Sequence, residues 1–183
     1  MREDVFVSVD IEADGPIPGD YSMLSLGAVV IGREDRTFYR ELKPISPRFV
    51  PEALEVSGLD RVKLLARGAD PEASLRELIA FLEEVSPGQK PTFVGFNATF
   101  DWMFVNWYFI HFIGSNPFGI SGLDIKAYYM GALGKRRWGD TAKRKLDRRF
   151  LGPAPHTHNA LDDAREQGEI FARLYSFVLG KSS

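Results

Sequence analysis

The chain has 183 residues, 44% of them hydrophobic and 26% charged, with a net charge of −2 and no cysteine. That length suffices for one domain with a full core, and the charge balance excludes a polycation, so affinity for nucleic acid must come from a local patch or from metal. The absence of cysteine excludes disulfides, thiolate-held zinc and a cysteine nucleophile, and suits a reducing cytoplasm; no apolar leader or membrane-spanning run is expected.

Val5 to Glu12 reads as the first strand, β-branched and aromatic, with no Gly or Pro until Gly15 and Pro16. Alternation puts Val5, Val7, Val9 and Ile11 on one face and Phe6, Ser8, Asp10 and Glu12 on the other. Two carboxylates side by side repel by about 4 kcal/mol at about 4 Å and an effective dielectric near 20. Such a pair either points into water or surrounds a cation, and hard oxygen donors suit Mg²⁺ or Mn²⁺. Both readings stay open on these two residues alone.

A turn-rich loop follows over residues 13–20, then strands over Met23–Ile31 and Thr37–Lys43, joined by a hairpin turn at Gly32-Arg33-Glu34-Asp35. Pro44 and Pro47 stop the third strand. A short helix is expected from Pro51 to Val56, closed by Ser57-Gly58. Asp70 and Pro71 open an amphipathic helix with Leu75, Leu78, Ile79, Leu82 and Val85 on one face, and Pro87-Gly88 ends it. Thr92–Phe96 is a short apolar strand, expected to be buried on both faces.

Asn97 is expected to cap a helix over Ala98–Ile113 that is apolar almost all round. Such a helix is buried or faces a partner, so a homodimer is an expectation. His111 is read as a structural residue of this helix, and Phe100 and Trp102 as core packing. Gly122–Ile125 suits a short strand and Lys126–Leu133 a helix. Lys135 to Arg149 then carries eight basic residues, among them Lys143, Arg144 and Lys145, against Asp140 and Asp147. This stretch is either a solvated face or a track for the phosphates of a single strand, with Trp138 placed to stack on a base. The last helix runs from Asn159 or Ala160 to Leu179, and Gly180 closes it. Strands first, then strands alternating with helices, give an α/β sandwich with a mixed sheet: an antiparallel meander plus parallel strands flanked by helices.

Asp101 lies in the first turn of one helix, and Asp163 in the first turn of another, five residues after His158. Singly, such acids complement the helix dipole, and a histidine before a helix is a surface residue. Together, Asp10-Ile11-Glu12, then Asn97-Ala98-Thr99-Phe100-Asp101, then His158-Asn159-Ala160-Leu161-Asp162-Asp163-Ala164 resemble the three motifs of the DEDDh (DnaQ-like) 3′–5′ exonuclease family. The order and element contexts match over almost the whole chain, and His-x₄-Asp opening a C-terminal helix is the most discriminating of the three. The loop after Glu12 reads Ala13-Asp14-Gly15-Pro16 where that family commonly continues Thr-Gly-Leu.

The resemblance implies a ribonuclease-H-like fold, a single exonuclease domain over residues 1–183, and two divalent cations, Mg²⁺ or Mn²⁺. By position it implies that Asp10 bridges both metals, that Glu12 and Asp163 complete one, and that Asp101 holds the other largely through water. It makes His158 the general base, with His156 a weaker candidate, and leaves Asp162 facing solvent. The implied reaction releases nucleoside 5′-monophosphates from the 3′ ends of single-stranded DNA or RNA. Met23, Leu24, Asn97, Trp138, Lys143, Arg144 and Lys145 are expected to contact the strand. Two alternatives carry the same fold: an oligoribonuclease-like hydrolase of very short oligonucleotides, and a catalytically silent nucleic-acid-binding domain. An all-carboxylate metal shell argues against a zinc hydrolase.

Overall fold

The structure is a computed structural model and describes residues 3–152 and 157–180. Strand β1 (Phe6–Ala13) runs antiparallel to β2 (Met23–Val30), whose eight residues are all buried. Beyond β2 lies β3 (Arg33–Glu41), the edge of a five-stranded sheet of order β3-β2-β1-β4-β5. The β2–β3 turn is shorter than expected. Val30 already pairs with Arg33, so only Ile31 and Gly32 turn, with Gly32 at φ +79°. The charged run Arg33–Arg36 belongs to the strand because an edge strand can face water; charges there also discourage pairing with a second sheet. Ion pairs from Arg36 to Glu84 and from Arg40 to Glu77 tie that edge to the next helix layer.

After β3 come α1 (Pro51–Ser57) and α2 (Arg61–Arg67). Helix α2 was not expected from the sequence. It buries only Leu64 and so shows no apolar stripe; its start is made by Asp60, whose side chain accepts from the amides of Val62 and Lys63. Helix α3 (Pro71–Val85) follows its expected face, burying Leu75, Leu78, Leu82 and Val85, with Asp70 accepting from Ala73 N–H.

Strand β4 (Thr92–Gly95) is parallel to β1, and β5 (Gly122–Asp124) is parallel to β4. Between them α4 (Thr99–Phe112) buries Phe104, Val105, Tyr108 and Phe109. It packs with α3 against Val7, Val9 and Ile11, forming one apolar layer. Helix α5 (Ile125–Ala132), three single 3₁₀ turns (Trp138–Thr141, Lys143–Lys145, Arg148–Phe150) and helix α6 (Ala160–Val178) cover the other face. There Val94, Ile125, Tyr129, Phe150, Phe171 and Leu174 form a second core, joined by Phe6. Both faces of β1 are therefore covered, one by each helix layer.

Asn97 does not cap α4. It sits at φ +65°, and the helix starts at Thr99 without a side-chain cap. The chain must turn sharply out of β4, and asparagine tolerates the left-handed region that turn requires. Ala98 N–H donates instead to Asp124 Oδ2 at 2.6 Å. Among the described residues no helix is long and apolar enough to cross a membrane.

Candidate active site

The last turn of β1 brings Asp10 and Glu12 to the face covered by α6. Directly opposite Asp10 in β2 is Gly27. A Cβ on Gly27 would stand 2.3 Å from the carbonyl oxygen of Ala160, so only glycine lets the start of α6 lie on the sheet here. Asn159 opens α6 by accepting from the amides of Leu161 and Asp162. Asp163 thus faces inward and is 4% exposed, while Asp162 faces solvent as expected.

Asp101 arrives from the other layer. It is 6% exposed and accepts the Ile11 N–H on Oδ1 at 3.1 Å, taking a strand amide where β4 has already ended. His158 precedes α6 at φ +54° and is exposed. One ligand atom each from Glu12, His158 and Asp163 lie within 4.8 Å of one another. His156 falls outside the described residues.

Crowding the acids changes their protonation. Burial, then Asp101, Asp163 and Glu12, push Asp10 well above the usual carboxylate range, opposed by Lys143. Burial, with Asp163 and Asp101, raises Glu12 to about 8. Burial raises Asp101 to about 7 against the opposing Ile11 hydrogen bond. The donor chemistry, four carboxylates beside one imidazole, fits hard cations.

A cleft of about 470 Å³ opens beside Glu12, walled by Ile11, Ala13, Val50, Ala53, Val56 and Phe100. Phe100 was expected in the core but is 37% exposed here, whereas Trp102 packs edge-on against Phe93 at 5.2 Å. The loop that departs from the family pattern builds one wall of this cleft. Asp14 is fully buried, pairs with Arg61 of α2 at 2.9 Å, and its carbonyl accepts from Val50 at the start of α1. That ion pair, like the Asp124 carboxylate linking Ala98 N–H to Ala127 N–H of α5, was not singled out in the sequence. An Asp that opens a helix and accepts from the N–H three residues on is a capping pattern, and Asp124 carries that local signal.

The expected substrate contacts divide. Met23 and Leu24 are 0% exposed and belong to the interior, so they present no surface to a nucleotide, whereas Phe100 on the cleft wall is 37% exposed. Lys143 turns toward the site, pairing with Glu166 at 2.8 Å and lying 5.7 Å from the Phe96 ring centre. Asn97 accepts from Lys126 Nζ at 3.1 Å, and the same ammonium lies 4.3 Å from the ring centre of Trp138, itself 49% exposed. Arg144 and Lys145 are exposed, Lys145 with Asp140 at 3.1 Å.

Fold and chemistry together define a ribonuclease-H-like phosphodiester hydrolase. No family model matches the chain. It is similar to the 3′–5′ DNA exonuclease Cap18 of Escherichia coli, 44% identical over 174 residues that span 93% of this chain and 92% of that one. Its structure resembles a full-length 3′-exonuclease (TM-score 0.77, 16% identity, 97% of this chain and 84% of that one). It also resembles the nuclease domain of 3′hExo, a DEDDh family member bound to rAMP (TM-score 0.74, 16% identity, 95% and 92%). The chain belongs to the DEDDh family of 3′–5′ exonucleases, enzymes that use divalent metal.

Proposed function

We propose that this enzyme is a single exonuclease domain that trims single-stranded 3′ ends in the cytoplasm and releases nucleoside 5′-monophosphates. DNA is placed first as substrate because the 44% identical relative is named a DNA exonuclease; RNA is the paired test. The observation that carries the reading is the convergence of Asp10, Glu12, Asp101 and Asp163 at the end of β1, with His158 at its rim.

Two divalent cations, Mg²⁺ or Mn²⁺, would be held by these four carboxylates and would stabilise charge on the attacking and leaving oxygens of an in-line displacement at phosphorus. His158 takes the proton of the attacking water on a ring nitrogen, and because the residue is exposed it can return that proton to solvent. The water oxygen bonds to phosphorus as the bond to the 3′ oxygen breaks, and that oxygen takes up a proton from a solvent water, which balances the one His158 returns. The apolar cleft beside Glu12 receives the terminal base, with Phe100 as its aromatic wall. Trp138 stacks on a base further along the strand, while Arg144 and Lys145 meet phosphates. Helix α4 leaves Ile110 52% exposed beside the stacked Trp107 and His111, and self-association through that face is tested by light scattering.

The deciding experiment digests 5′-labelled single-stranded DNA, matched RNA and dinucleotides with Mg²⁺ and with Mn²⁺. A ladder shortening from the 3′ end, abolished by EDTA and in Asp10→Ala, is expected. Cleavage of dinucleotides alone would favour the oligoribonuclease-like reading.

A further inference from the structure

We infer that Gln167 is a positioning residue that wedges β1 and β4 apart at the level of Asp10 and so sets the spacing of the cation-binding carboxylates. The inference rests on the reading of those carboxylates as cation ligands. The parallel ladder of β1 and β4 pairs Phe6, Val7 and Ser8 with Thr92, Phe93 and Val94. Thr92 N–H donates to the carbonyl of Val5. Because parallel ladder bonds repeat every second residue, this register carried forward would have Phe96 N–H donate to the carbonyl of Val9. That bond is not the one made. Phe96 N–H donates to Gln167 Oε1 at 2.5 Å, and Gln167 Nε2 donates to the Val9 carbonyl at 2.9 Å. One side-chain amide thus fills the rung, widening it by the length of an amide while leaving neither backbone group unpaired.

The next inward group on that edge, Ile11 N–H, is taken by Asp101. The strand edge is handed from backbone to Gln167 and then to Asp101, on either side of Asp10. Gln167 lies one helical turn beyond Asp163 on the same buried face of α6, so one helix supplies both an acid and the wedge. Gly168 permits the approach: a Cβ there would already stand 3.2 Å from Ser8.

The test is Gln167→Met, which keeps length and bulk but offers neither donor nor acceptor. Mn²⁺ binding is measured without substrate by electron paramagnetic resonance, together with kcat, KM and circular dichroism. The half-saturating Mn²⁺ concentration is expected to rise by about 10–100-fold, as for other groups that orient ligands from behind. The rate kcat falls with it and the KM for oligonucleotide is unchanged, a split that a general loss of folded enzyme does not produce. If Gln167→Met does not fold, Gln167→Asn, one methylene too short to bridge both strands, carries the same readouts. A folded variant with wild-type Mn²⁺ affinity overturns the inference. A wild-type protein that binds no Mn²⁺ overturns the cation reading as well, so the two failures are distinct.

Discussion

The two edges of β1 are built differently. Toward β2 the antiparallel register runs from Val7↔Val30 to Glu12↔Ser25 before it slips at Ala13. Toward β4 the parallel pairing stops at Ser8↔Val94, and side chains from α6 and α4 take over the backbone groups. The first edge gives rigidity: it holds Asp10 and Glu12 on a strand that cannot shift without breaking a fully buried neighbour. The second gives space. A site proposed to hold cations and a phosphate would need both, and the acids converge where the ladder ends.

The difference can be broken from either side. The largest effect is expected at the rim. His158→Ala should lower turnover by about 10²–10⁴-fold, the usual worth of a general base, while Mn²⁺ binding is largely kept. Steady-state rates beside Mn²⁺ titrations check this, and an unchanged rate would assign the base elsewhere. Next comes the rigid edge. Gly27→Ala forces a methyl into the Ala160 backbone, which cannot give as a flexible side chain does. A loss of about 1–3 kcal/mol of stability is expected by urea unfolding, with a drop in turnover as α6 carries Asp163 off the sheet.

On the proposed reading proton and metal would compete in the gap, which gives a smaller effect. Unfolded carboxylates titrate near about 4, whereas Glu12 is raised to about 8 and Asp101 to about 7. The metal-free fold therefore retains protons that the unfolded chain has lost, so these groups lower stability as pH rises from about 4 to about 8. On the proposed reading, cation binding would relieve that penalty. The rise in Tm on adding Mg²⁺ should be larger at pH 8 than at pH 6 by scanning calorimetry; an equal rise would mean that the acids are ionised throughout. The smallest effect lies outside the gap. Replacing both Arg144 and Lys145 by Gln should weaken long single strands but not dinucleotides, and flatten the salt dependence of binding by about one to two units of slope. Equal effects on both substrates would remove the phosphate track.

How far the sequence reaches shows residue by residue. Leu75, Leu78 and Leu82 announce α3 by spacing alone, because a helix of that length must bury a stripe. Helix α2 has one buried residue and is held by a cap and by Arg61 reaching Asp14, a contact 47 residues apart that no local pattern carries. Met23 and Leu24 were expected at the site from their nearness to the loop in sequence. Their strand is buried along its whole length, Met23 in the apolar layer with Leu75 and Leu78, and that is decided by how the layers pack on the sheet.

Local sequence determined the strand with its two acids, the aspartates in two helix starts and the histidine five residues before the last, since side-chain periodicity and helix caps act within a few residues. Only the tertiary structure decided where the β1–β4 ladder stops, that an amide from α6 fills the next rung, and that a buried ion pair seats the wall of the cleft. Those depend on groups brought together from opposite ends of the chain, where burial makes every unpaired donor costly and so dictates its partner.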